Sequence, residues 1–279
     1  MINLPKPQFD VETVFGECIS LVKNADVKEK YTQCLDLLKL AETDFINRFP
    51  LNEIYLIQRN DNITDEIGKD QMVKVYNYRM LNPNQAGRPY YDKLLSLAKD
   101  GKCPYCAIRD ADTIDHYLPK ADYPIYSVTP IVLVPCCTLC QDKTIPYPTS
   151  EENQTFHPYF DEIENENWIK ANVINTNPIT FSYEINPPEE WPDILKKRAF
   201  YHFESYKLDE LYSNHANEEY RGRKRYFSKL YTNGPEELID FLFESYDSYL
   251  ELGCNSWQAM MYKALAESDW FQQHGILYP

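Results

Sequence analysis

The chain has 279 residues, and its 28 Lys and Arg against 43 Asp and Glu give a formal net charge of −15. That balance excludes a free-standing polybasic nucleic-acid binder, and a composition of 43% hydrophobic and 25% charged residues excludes wholesale disorder. No window holds the roughly 18 uninterrupted apolar residues of a membrane helix, and Met1 to Asp10, with Lys6, Pro5, Pro7 and an acid, lacks the apolar run of a signal peptide. A cytoplasmic protein without a membrane partner is therefore expected, and its eight cysteines read as metal ligands or buried thiols rather than disulfides.

From Asp10, a candidate N-cap, Val11, Val14, Phe15, Cys18, Ile19 and Val22 form one stripe of an amphipathic helix. A second helix is predicted over about Lys28 to Asn47, with Cys34, Leu37, Leu38, Ala41 and Phe45 on one face and Phe49-Pro50 ending it. Cys18 and Cys34 thus read as core thiols. Weaker helices follow over Gln71 to Met80 and Arg88 to Ala98, separated by the turn residues Asn82, Pro83, Asn84 and Gly87. Between Gly101 and about Asp161 helical periodicity stops, and Cys, Pro, Asp and His crowd into an irregular, site-bearing segment. Ile169, Ala171, Val173 and then Ile179, Phe181, Tyr183, Ile185 alternate with polar residues, predicting a hairpin joined through Asn175 to Pro178. The remainder to Phe271 is helical: Leu238, Ile239, Leu242, Tyr246, Tyr249 and Leu250 form a stripe closed by Gly253, and Asn255 with Gln258 reads as a capping box. The expected class is α+β, mainly helical, in three regions: helical 1–99, a metal-bearing module over 100–165, and a hairpin with helices over 166–279. Only 8 glycines, with neither GxGxxG nor GxxxxGK[ST], leave no loop to cradle a nucleotide; any ATPase must be a partner.

Cys103-Pro-Tyr-Cys106 and Cys137-Thr-Leu-Cys140 are two CxxC knuckles separated by 30 residues. Each gives two thiolates from one turn, and together they complete a tetrahedral four-sulfur shell suited to structural zinc. A redox CxxC is disfavoured by the presence of two pairs and no thioredoxin-like βαβ context. Cys136 can stand in for Cys137, although the spacing favours Cys137. Between the knuckles lies Thr113-Ile114-Asp115-His116-Tyr117-Leu118-Pro119-Lys120, and then Ile131-Val132-Leu133-Val134-Pro135 runs into the second knuckle. Neighbours on a regular strand point to opposite faces, so Asp115 and His116 share a site only where the strand ends or bends. There a carboxylate can hold a hard divalent cation while an imidazole takes a proton from water, the apparatus of phosphodiester hydrolysis. An isolated Asp-His pair is ordinarily a surface feature; its frame of two knuckles and a second strand makes it specific.

With that frame the sequence resembles the zinc-stapled HNH (ββα-metal) endonucleases. The resemblance spans Met72 to Met80, Gly87-Arg88 with Tyr91-Asp92, Cys103 to Lys143, Gln154 to Asp161, and Ser256-Trp257-Gln258 with Ser268-Asp269-Trp270-Phe271. It implies a metal ligand at Asp115, the general base at His116, and structural zinc on Cys103, Cys106, Cys137 and Cys140. It also implies a catalytic Mg²⁺ or Mn²⁺, with Gln141, in place of the family's Asn, as second ligand. The Asn that usually braces the loop from the second strand is here Val132, and the downstream Lys, at Lys143, is one residue closer than usual. Gln141 keeps an amide oxygen but reaches one methylene further; Val132 loses the amide, and loose catalytic geometry costs about 100-fold in rate. His157 is by resemblance a third metal ligand or phosphate contact, and otherwise a histidine packed in a turn with Pro158.

The site segment is acidic, so phosphate affinity is sought elsewhere. Arg221, Arg223, Lys224 and Arg225 form the densest basic run, followed by Arg88 and Lys120; a solvated helix face is the plainer account of such a run. Similar HNH proteins serve as nuclease subunits beside ATPases in anti-phage systems such as Septu and some retrons. The resemblance therefore implies an antiviral DNA endonuclease with an ATPase partner. A degenerate HNH module kept as a zinc-stapled adaptor is the alternative, resting on Val132 and Gln141, and a zinc-ribbon regulator is weaker because it needs no Asp-His pair.

Overall fold

The computed structural model describes residues 1–142, 147–274 and 276. Among the described residues the chain is a mixture of helix and strand with two small antiparallel sheets, and it divides into two compact units, Met1–Asp161 and Glu162–Pro279.

The first unit opens with helix α1 (Val11–Ser20), whose Asp10 cap accepts from the Thr13 N–H at 2.9 Å. The helix predicted to follow is divided into α2 (Ala25–Thr32) and α3 (Leu35–Arg48). A tight 3₁₀-type bond from Cys34 N–H to Tyr31 C=O (3.0 Å) turns both side chains into the core, and α3 starts on a new face. Leu38 and Phe45 stay buried as predicted, whereas Leu37 is 39% exposed. Helix α4 (Lys69–Lys74) continues into a π turn, Val75–Met80, and α5 (Arg88–Leu95) follows. Gly87, just before α5, meets α1 closely: a Cβ there would lie 2.5 Å from Cys18 Sγ and 2.7 Å from the Arg79 carbonyl.

Strands β1 (Thr113–His116) and β2 (Leu133–Cys136) pair antiparallel, with Asp115 opposite Val134 and His116 opposite Leu133, and a one-turn helix α6 (Thr138–Gln141) follows. Ile114 and Leu133 enter the same apolar core as Phe15, Cys18, Met72 and Met80. Residues 1–99 and the cysteine-bearing segment therefore share one core and form one compact unit. Burying each such side chain contributes about 1.5–3 kcal/mol, so the ribbon is held by helices encoded well before it.

In the second unit β3 (Ile169–Ile174) and β4 (Thr180–Ile185) form the expected hairpin. Helices α7 (Asp193–Ser205), α8 (Leu208–Asn233), α9 (Pro235–Leu250), α10 (Trp257–Ala266) and α11 (Asp269–Gln273) complete it. Asn217 and Asp209 of α8 accept from the Phe181 and Tyr183 N–H groups at 3.0 and 2.7 Å, satisfying donors of β4 that have no strand partner there. The cap of α10 is Ser256, not Asn255: Asn255 instead receives the Trp168 N–H (2.9 Å) and donates to the Glu166 carbonyl (2.6 Å). Among the described residues no helix is long and apolar enough to cross a membrane.

Candidate active site and metal centre

The sulfur atoms of Cys103, Cys106, Cys137 and Cys140 lie within 4.8 Å of one another, and all four residues are buried. A tetrahedral zinc with bonds of about 2.3 Å separates its sulfurs by about 3.8 Å, so the cluster has the size and the soft donors such an ion requires. Local backbone makes this possible. Ala107 takes a left-handed φ of 58° and returns its N–H to the Cys103 carbonyl at 2.8 Å, closing the first knuckle. Cys137 caps α6, its sulfur accepting from the Cys140 N–H at 3.4 Å. Hydrogen bonding with Cys103 holds the Cys106 and Cys137 thiols below the ordinary thiol range, while burial pushes Cys103 above it. Four buried, mutually bonded thiols can thus hold a metal ion such as zinc. Cys136, the alternative ligand, ends β2 opposite Thr113 and stands outside the cluster.

Asp115 and His116 are 3% and 5% exposed and both line one cleft of about 680 Å³, as an Asp-His pair at a strand end can. His116 Nε2 lies 2.9 Å from the Ser127 carbonyl. A carbonyl only accepts, so Nε2 carries a proton, and in the neutral form of the ring the lone pair is at Nδ1. The Tyr76 ring meets the imidazole edge-on at 4.4 Å, which fixes its plane. The Tyr105 hydroxyl donates to Asp115 Oδ2 at 3.2 Å, so a residue inside the first knuckle touches the carboxylate directly. Gln141 also lines the cleft, and its Nε2 donates to the Ile114 carbonyl at 2.8 Å, which turns the amide oxygen the other way. Lys120 lies over the Tyr76 ring at 4.8 Å and lines the same cleft; burial lowers its pKa and the nearby Asp115 charge opposes that shift.

Val132 is fully buried and offers no side-chain brace. Other groups tie the loop. Tyr117 N–H bonds the Val132 carbonyl (2.9 Å), the Tyr117 hydroxyl bonds the Thr155 carbonyl (2.6 Å), Ser127 Oγ bonds the Pro124 carbonyl (2.8 Å), and the Tyr159 hydroxyl bonds the Leu133 carbonyl (3.0 Å). The stiffness expected from one amide is spread over several hydroxyls.

The remaining predicted residues are dispersed. His157 is fully buried and is not among the cleft residues; Tyr117, Phe160 and Phe49 surround its ring at 4.5, 5.1 and 5.2 Å, and its Nδ1 accepts from the Tyr159 N–H at 3.2 Å. That placement matches the packed-turn description of this histidine. Arg88 is engaged with Asp92 (2.8 Å) and the Leu81 carbonyl (2.7 Å) and does not line the cleft. Arg221, Arg223, Lys224 and Arg225 lie on α8 of the second unit, Arg223 bonded to Glu219 at 3.0 Å. Lys143 lies outside the described residues. The cleft also gathers Lys69, Lys74, Asn77 and Tyr78 from α4 and the π turn, to which sequence reasoning gave no site role although the last three fall in the Met72 to Met80 stretch. The signal available was two lysines and an exposed tyrosine on a helix just upstream of the knuckles.

No family model matches the chain, and no solved structure matches it. The chain is similar to Protein ea31 of Escherichia phage lambda, with 28% identity across 97% of this chain and 99% of that protein.

Proposed function

We propose that this chain is a metal-dependent HNH endonuclease that hydrolyses phosphodiester bonds of DNA. The observation that carries the reading is the convergence of Asp115, His116 and Gln141 on one cleft, at the end of a two-stranded ribbon with a short helix, stapled by four cysteines. The donors suit a hard divalent cation: a carboxylate from Asp115 and an amide oxygen from Gln141, the other positions being left to water and phosphate, as Mg²⁺ prefers. When bound, Mg²⁺ or Mn²⁺ supplies Lewis-acid stabilisation of charge developing on phosphate. His116 accepts the proton of the attacking water at Nδ1, and the Ser127 carbonyl on Nε2–H steadies the resulting imidazolium. Lys120 adds a positive charge at the cleft wall. Zinc on the cysteines keeps the scaffold rigid and takes no part in the chemistry.

The resemblance further makes the chain the nuclease effector of an anti-phage system with an ATPase partner, in keeping with the absence of a nucleotide-binding loop from its own sequence. The second reading, a zinc-stapled adaptor, is favoured by the apolar, buried Val132. Plasmid and single-stranded DNA are to be incubated with purified protein and Mg²⁺ or Mn²⁺, with zinc content measured on the same preparation. His116→Ala is expected to cut about 100- to 10,000-fold more slowly. A folded His116→Ala protein cutting at the parental rate sinks the assignment, and a zinc-loaded parent inert with and without an ATPase partner favours the adaptor.

A further inference from the structure

Resting on the nuclease reading of this cleft, we propose that its substrate enters as an unpaired strand, one base stacking on Tyr78 while Lys69, Lys74 and Lys120 neutralise the adjoining phosphates. Tyr78 is 65% exposed yet forms part of the cleft wall. A large aromatic ring left in water beside cations has a natural use as a stacking platform, since every base has a π-face. In a duplex those faces are already covered by neighbouring base pairs, so only an unpaired base can use the ring.

The backbone aims the ring. Tyr78 sits in the π turn, where Leu81 N–H reaches back five residues to the Tyr76 carbonyl at 2.9 Å. Such turns recur at functional sites because the extra residue redirects side chains. Here Tyr76 packs on His116 and Tyr78 faces the cleft, two residues apart. Size and charge agree. A cleft of about 680 Å³ falls in the range that holds a nucleotide-sized ligand, and its lining sets Lys69, Lys74 and Lys120 beside Asp70, Asp115 and Asp142, so it can neutralise only a few phosphates, which suits a narrow strand better than a broad duplex face.

The test is fluorescence anisotropy of labelled single-stranded and duplex oligonucleotides of one sequence, binding the full chain without added divalent metal, so that binding is read apart from cutting. The single strand is expected to bind at least about 10-fold more tightly. Tyr78→Ala should weaken single-strand binding about 10-fold, with Tyr78→Phe restoring it, while Tyr55→Ala, at an exposed tyrosine outside the cleft, should change nothing. Lys74→Ala should flatten the salt dependence by about 0.7 in slope. Equal binding of both forms with Tyr78→Ala silent overturns the proposal, even if His116-dependent cutting persists. Tyr78-dependent single-strand binding by a protein that never cuts upholds it and removes the nuclease reading alone.

Discussion

Replacing Tyr105 by Phe removes one oxygen and leaves the packing of the first knuckle intact. Its hydroxyl donates to Asp115 Oδ2 at 3.2 Å, and both residues are buried. A hydrogen bond to a charged group contributes about 1.5–3 kcal/mol, and a separation longer than the usual 2.7–2.8 Å for such pairs puts this one near the lower end. A loss of about 1.5 kcal/mol converts to about a 12-fold loss of whatever depends on the position of Asp115. The assay is DNA cleavage as a function of Mn²⁺ concentration, with zinc stoichiometry measured alongside. The expected result is a weaker half-saturating Mn²⁺ concentration, a lower rate, or both, together amounting to about 10-fold with zinc retained. A zinc-loaded Tyr105→Phe protein that cuts and responds to Mn²⁺ like the parent would falsify the idea that the knuckle steadies the carboxylate.

Stripping the metal centre should be more severe, because apparent binding energies of structural zinc reach about 10–16 kcal/mol. A strong chelator, or Cys106→Ser, is expected to abolish the near-ultraviolet dichroism of the buried tyrosines around β1 and β2; an unaltered spectrum after verified zinc removal would count against a structural role. Glu42 gives a pH-dependent prediction: burial pushes its carboxyl up to about 7, although it accepts from the Val11 N–H at 3.2 Å. The folded carboxyl keeps its proton where the unfolded one, near 4.5, has lost it, so stability falls as pH rises from about 4.5 to about 7 and is level above. Glu42→Gln should therefore raise stability at pH 8 by about 1 kcal/mol, after allowing for solvent screening of a half-buried group, with the gain shrinking towards pH 5. Thermal melts at both pH values check this, and an equal gain at each would point to some cause other than ionisation.

What the sequence announced was what is local. The Asp10 cap is written within four residues, the hairpin within seventeen, and each cysteine knuckle within four, so spacing alone finds them. The cluster of the two knuckles follows because a metal shell has one closed geometry. What stayed hidden is tertiary. Nothing in Cys103-Pro-Tyr-Cys106 says that its tyrosine reaches Asp115, and nothing in Lys69 or Lys74 says that α4 borders the cleft. The division between α2 and α3 depends on which of Tyr31, Cys34 and Leu37 the core accepts, a choice made by α1 and the π turn rather than by helical propensity. Asn255 fits the capping pattern, but Ser256 next to it caps equally well and frees Asn255 for the backbone of 166–168. His157 is open to two readings in the sequence, and spacing along the chain cannot show that five aromatic rings lie within about 6 Å of its own.

The π turn also bears on how the length of this segment can change. It holds one residue more per hydrogen-bonded ring than an α-helix, and that residue lets Tyr76 meet His116, Tyr78 line the cleft and Met80 enter the core within five positions. Deleting one residue between Val75 and Met80 would allow an ordinary helix, and everything beyond the deletion would rotate by about 100° relative to what precedes it. Either Tyr76 would leave the imidazole or Met80 would leave the core. The packing of the segment can therefore accept exchanges at Asn77, which is exposed on the cleft wall, far more readily than a change in length.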